Sequence, residues 1–134
     1  MTQSIHKIDD ILMPLALAVI IDNKVKEREI AEFVQQGQGL LTLFGYPSQS
    51  SDNLRHWFSQ HENSIIQALN GPRKNTFVLR ALSIFSEDVY VENIFDAMVQ
   101  VSLSDQQYLR EESDLIKSAA SLWGYNRPPI KVED

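Results

Sequence analysis

The sequence predicts an all-α protein: a single-domain bundle of about six to seven helices, in which two helical hairpins are related by a pseudo-twofold axis. Three observations predict it. Apolar residues recur three and four apart along most of the chain, and no stretch alternates apolar with polar for long enough to argue a half-buried strand. The chain has 134 residues, 43% of them hydrophobic, which suits one core and one domain spanning 1–134. Finally, one phrase is written twice. "DNKVKEREI" from Asp22 and "DQQYLREES" from Asp105 each place a glutamate seven residues after an aspartate, and each leads to a leucine, aromatic, glycine, tyrosine ending, "LFGY" at Leu43 to Tyr46 and "LWGY" at Leu122 to Tyr125.

The first helix is expected from about Ser4 to Ile21, with Ile8, Ile11, Leu12, Leu15 and Val19 on one stripe. Ala16, Leu17 and Ala18 make its second half apolar nearly all round, the mark of a central helix. Pro14 must kink it or restart it. A second helix, about Lys26 to Phe44, buries Ile30, Phe33, Val34, Leu40, Leu41 and Phe44. Gly37 and Gly39 weaken its middle by about 1 kcal/mol each relative to alanine and predict a bend there. Gly45 is a left-handed stop, and Pro47 prevents continuation.

The polar loop "SQSSDN" supplies N-caps for a third helix, Leu54 to about Leu69, which "NGP" at Asn70 to Pro72 ends. A shorter fourth helix covers about Asn75 to Phe85. After "SED" at Ser86 to Asp88, a fifth places Val91, Ile94, Phe95, Met98 and Val101 at helical spacing. The sixth, about Leu109 to Trp123, buries Leu115, Ile116, Ala119 and Leu122, and Gly124 ends it as Gly45 ends the second. The core is expected over about 8–125, with 126–134 a mobile tail.

The repeat now acquires a meaning. Each copy is the joint of a hairpin: apolar helix, turn at the aspartate, charged first turn holding the glutamate, amphipathic helix, glycine stop. From aspartate to glycine the copies span 23 and 19 residues, a difference of about one helical turn. Two copies are too few for a solenoid, so the hairpins are expected to pack on each other.

Composition narrows the function classes. Twelve basic against eighteen acidic residues leave a net charge of −6, which argues against nucleic acid and anionic membrane surfaces and favours a cation or a basic partner protein. Without cysteine there is no disulfide and no thiolate for redox chemistry or soft metals. The longest apolar run, Ile11 to Ile21, falls short of the roughly twenty residues that span a bilayer, and Asp9 and Asp10 stand where a secretory leader would be basic. A cytoplasmic protein is expected, with no membrane insertion, and a homo-oligomer remains compatible.

The doubled motif resembles that of the TerB-like tellurite-resistance domain, a bacterial all-helical domain also found ahead of the J-domain in some membrane-anchored co-chaperones. The family's pattern is Asp-Gly, a polar residue, an aliphatic, then an acidic-rich turn with a glutamate seven after the aspartate, once per half. Asp22, Val25 and Glu29 match it in the first half; Asp105 and Glu112 match in the second, with Tyr108 at the apolar position. The likeness runs from about Ile8 to Tyr125. It departs from the pattern at Asn23 and Gln106, where the family has glycine, and at Lys26 and Leu109, where it has a small N-cap. The resemblance implies a link to tellurite resistance and stress response, and a divalent metal held by the acidic residues of the two halves.

Asp22, Glu29, Asp105 and Glu112 are therefore the candidate metal ligands. Calcium and magnesium are the cations a set of hard carboxylate oxygens favours. The plain alternative is that the glutamates answer helix dipoles and the aspartates shape turns. Neither loop has the ligand ladder or the glycine of an EF-hand.

The remaining motifs are weaker. His56 and His61 do not share a helix face, "HENSI" has Ile65 where a zinc-protease motif needs histidine, and the histidines are expected solvated or capping. "GQGLLT" lies inside a helical pattern and is no dinucleotide loop. "PRK" at Pro72 to Lys74, with Arg80, reads as a solvated helix start, and Trp57, Phe58, Phe77, Phe85 and Trp123 read as core. The function these residues favour is a non-catalytic module that binds a divalent cation, a partner protein, or both. The alternatives are a metal-dependent hydrolase using the four carboxylates, or a structural interaction domain.

Overall fold

The computed structural model describes residues 6–21, 25–104 and 110–124, with the backbone alone at 88 and 110–113. Within them the chain is an all-α bundle of six helices: α1 (Ile8–Ile20), α2 (Glu27–Leu43), α3 (Ser51–Leu69), α4 (Lys74–Ser83), α5 (Asp88–Leu103) and α6 (Arg110–Trp123). The expected tail at 126–134 lies outside the described residues.

α1 is the central helix. Every residue from Leu15 to Ile20 is fully buried, and α2, α3, α4 and α5 all pack on it. The helix begins at Ile8 rather than Ser4, because Lys7 is extended, and Asp9 and Asp10 face the positive end of its dipole. Pro14 neither ends nor restarts it; α1 runs through the buried ring. Helix α2 is likewise uninterrupted at its glycines. A Cβ on Gly37 would lie 3.0 Å from Leu12 Cδ2 and 3.4 Å from Leu54 Cδ1, so this glycine lets α2 lie close to α1 and α3.

The two glycine stops are left-handed, with φ 92° at Gly45 and 75° at Gly124. Gly45 N–H donates to the Thr42 carbonyl at 3.0 Å and Tyr46 N–H to that of Leu41 at 2.9 Å, the paired bonds of a Schellman ending. Tyr46 then folds back on the core and donates its hydroxyl to the His6 carbonyl. Tyr125, its counterpart, lies outside the described residues. Helix α3 starts three residues earlier than its apolar pattern suggests, because the Ser50 hydroxyl accepts from Asn53 N–H at 3.1 Å and caps it.

One end of the bundle is aromatic, and it sets the direction of the helices. His6 meets Phe44, Phe85 and Tyr90 with ring centroids 4.8–6.1 Å apart, and Phe44 stacks on Tyr90 at 4.3 Å. His6 is therefore buried, not solvated as expected, because its ring fills a gap among three others. Trp123 donates its indole N–H to the Phe85 carbonyl at 3.1 Å. The starts of α1 and α5 and the ends of α2, α4 and α6 thus gather here.

It follows that the ends of α1 and α5 and the starts of α2, α4 and α6 point to the opposite end. The two hairpins share this topology but not their surroundings. Among the described residues α2 packs along α5, whereas α4 lies between α1 and α6.

Candidate functional site

The described residues that flank the two joints of the doubled phrase lie at the end of the bundle remote from the aromatic cluster. The chain leaves α1 at Ile21 and re-enters helix at Glu27; it leaves α5 at Ser104 and re-enters at Arg110. A cleft of about 390 Å³ at this end is lined by Ile21 from α1, by Lys74, Asn75, Val78 and Leu79 from α4, and by Asp114, Leu115 and Ser118 from α6. Ile21 immediately precedes Asp22, and Asp114 follows Glu112 by two. The fold therefore delivers the flanks of both motifs to one place, as the repeat implies.

Of the four candidate ligands, Glu29 is described in full. It stands third in α2, with no exposed surface. That position in the first turn is the one from which a carboxylate answers the dipole, but a solvated cap would not be sealed from water. A carboxyl group this deeply buried must be paired, coordinated or neutral, since desolvation of an isolated charge is prohibitive. Glu29 and Lys26, three residues before it, each have an interaction partner. Asp22 and Asp105 lie outside the described residues, and Glu112 is placed in the first turn of α6 by its backbone alone.

A second buried polar group lies in the last turn of α5, one that no motif marks. Ser102, in the last turn of α5, is fully buried, and its hydroxyl has no hydrogen-bond partner among the described residues. A signal for it exists: Ile94, Met98 and Ser102 are four apart, so a hydroxyl sits on an otherwise apolar stripe. A buried hydroxyl without a partner carries a cost of roughly 1–3 kcal/mol, which ordinary packing does not require.

Carboxylate and hydroxyl oxygens without thiolate or imidazole suit calcium or magnesium and not a soft metal. Among the described residues no three histidine, cysteine, aspartate or glutamate side chains converge as a ligand set. Glu27, two residues before Glu29, has a different task. Its carboxylate takes two hydrogen bonds from the Arg55 guanidinium, at 2.6 and 3.2 Å, and these hold its pKa below the ordinary value.

The other residues singled out by type are structural. Trp57 is buried, stacks on His61 with centroids 4.2 Å apart and donates its indole N–H to Asp9 at 2.7 Å, while His61 Nδ1 lies 2.8 Å from the Trp57 carbonyl. Phe33 packs against both Trp57 and Phe58. His56 is exposed. Among the described residues no helix is long and apolar enough to cross a membrane. The chain matches no family model, no curated protein and no solved structure.

Proposed function

We propose that the protein is a non-catalytic cytoplasmic module, similar to the TerB-like domain, that takes up a divalent cation at its paired acidic joint and presents that joint to a partner protein. The observation that carries this reading is the shared cleft, in which Ile21 beside the first motif faces Asp114 beside the second. Glu29 in the first turn of α2 and Ser102 in the last turn of α5 are buried oxygen-bearing side chains at the same end of the bundle, though neither lines that cleft. Asp22, Glu29, Asp105 and Glu112 supply the ligands; calcium or magnesium is the cation their chemistry favours. A bound cation would draw the two joints together and neutralise their carboxylates, changing the surface offered to the partner. Stress response, with tellurite resistance within it, is the setting that the family likeness suggests.

Calorimetric titration of the chelator-treated protein with calcium and with magnesium tests the proposal. Saturable binding of one ion per chain is expected, lost in the double variant Asp22→Asn/Asp105→Asn. Heat of dilution alone from both ions would remove the cation from the account.

A further inference from the structure

In a chain of net charge −6, α4 is the one described helix without an aspartate or glutamate. It carries Lys74 and Arg80, and Arg73 immediately precedes it. Arg73, Thr76, Phe77 and Arg80 recur at helical spacing and so share one face of α4. Together with Ala68, Gly71 and Pro72 from the end of α3 and the turn after it, they line a cleft of about 360 Å³. Both arginines are exposed, and among the described residues neither is in an ion pair. Phe77 is half-buried and packs against the core, so the cleft has an apolar floor between two cationic rims.

Helix dipoles account for part of this. Arg73 and Lys74 follow the C-terminus of α3, and Arg80 lies in the last turn of α4, positions where a cation is stabilising. They do not account for a concave surface floored by Phe77 and Pro72. Arg73 and Arg80 stand seven residues, about 10 Å, apart along the helix, a spacing suited to two anionic groups rather than to one small oxyanion. The negative charge of the whole molecule opposes any anion at long range, so attraction is confined to the cleft, which disfavours a long nucleic-acid backbone more than a short acidic segment.

We propose that the cleft between the α3–α4 turn and α4 docks an acidic peptide segment of a partner protein, with an apolar side chain on Phe77 and carboxylates on Arg73 and Arg80. Two turns of helix separate the arginines by about 10 Å, which an extended peptide spans in about three residues. Side chains of an extended peptide share a face only at every second residue, so the fitting sequence has acids four apart, about 13 Å, with an apolar residue midway on the same face, a span that the long arginine side chains reach. The site is distinct from the acidic joint and does not need the cation.

The test is fluorescence anisotropy of a labelled peptide, Asp-Glu-Leu-Phe-Glu-Asp, titrated with the full chain in the presence of EDTA. Saturable binding is expected, weakening several-fold from about 50 to about 300 mM salt. The double variants Arg73→Glu/Arg80→Glu and Arg73→Gln/Arg80→Gln should each lose roughly tenfold or more with the melt lowered only slightly, because both side chains are solvent-exposed and a helix dipole contributes little at such sites. Lys117→Ala, on the far side of α4, should bind like the parent. A control peptide with Ser-Ser in place of Leu-Phe should bind roughly tenfold more weakly. Equal binding of the two peptides, equal binding by the arginine variants, or no binding at all would overturn the proposal. So would complete displacement of the peptide by inorganic phosphate at low millimolar concentration, since that would make the cleft a simple oxyanion site.

Discussion

Gly37 and Gly39 are two residues apart on one helix, and the structure gives them opposite roles. A methyl group on Gly37 would press on Leu12 and Leu54, both buried and unable to swing into solvent, whereas one on Gly39 would meet nothing within 4 Å. Gly39→Ala should therefore stabilise the protein by about 1 kcal/mol through helix propensity alone. Gly37→Ala gains the same propensity but overpacks the contact of α2 with α1 and α3, and a net loss of about 1 kcal/mol is expected. Thermal melts of the two variants should move in opposite directions, by about 3–4 °C each. Gly45→Val, at φ 92°, should cost about 1–2 kcal/mol, and an unchanged melt would show that the Schellman ending is dispensable. The sequence made the two stops legible because a glycine between an aromatic and a tyrosine, after a helical stripe, has few other uses. The close-packing role of Gly37 was not legible, since it depends on which side chains of α1 and α3 arrive opposite it. Burial of His6 escaped for the same reason: three aromatic rings from distant segments create its pocket.

At the level of elements, hydrophobic spacing located all six helices, and the differences at their ends are local chemistry. Ser50 starts α3 early by capping it, and the extended Lys7 starts α1 late. What spacing could not reveal is how helices are tied across the bundle. The indole of Trp57 on α3 donates to Asp9 on α1 at 2.7 Å, a charge-assisted bond in a part-buried setting. Trp57→Phe should cost about 2 kcal/mol, and Asp9→Asn, which keeps an acceptor, less than about 1 kcal/mol. A double-mutant cycle in denaturant melts should return a coupling between them, and strict additivity would mean the bond contributes nothing. The Glu27–Arg55 pair between α2 and α3 should behave differently, because both groups are exposed. Its contribution is present above the ordinary glutamate pKa and fades as pH falls through the lowered folded value. Solvent and salt screen it, so Arg55→Ala should leave the melt near neutral pH almost unmoved.

For the whole molecule, the doubled phrase is an instruction about placement. Because the aromatic end collects the starts of α1 and α5, the ends of both helices come to the other end, where Ile21 and Asp114, near Asp22 and Glu112 in sequence, line one cleft. The repeat made that convergence legible; the insertion of α4 between α1 and α6 was not, because nothing in the short α4 pattern specifies its neighbours. The buried Ser102 hydroxyl in the last turn of α5 was equally hidden, being one polar residue on a stripe read for its apolar members. The most direct test of a cation held by this end of the bundle is the thermal melt of chelator-treated protein with and without added ion. An ion bound by the folded state alone, at about one hundred times its dissociation constant, adds about 2.7 kcal/mol, which for this chain length raises the midpoint by about 10 °C. The account predicts that rise with calcium or magnesium in the parent, and its loss in Asp22→Asn/Asp105→Asn with the metal-free midpoint equal or slightly higher, since clustered carboxylates repel one another. A parent melt indifferent to calcium, magnesium, manganese and zinc would contradict it and leave the repeat as architecture.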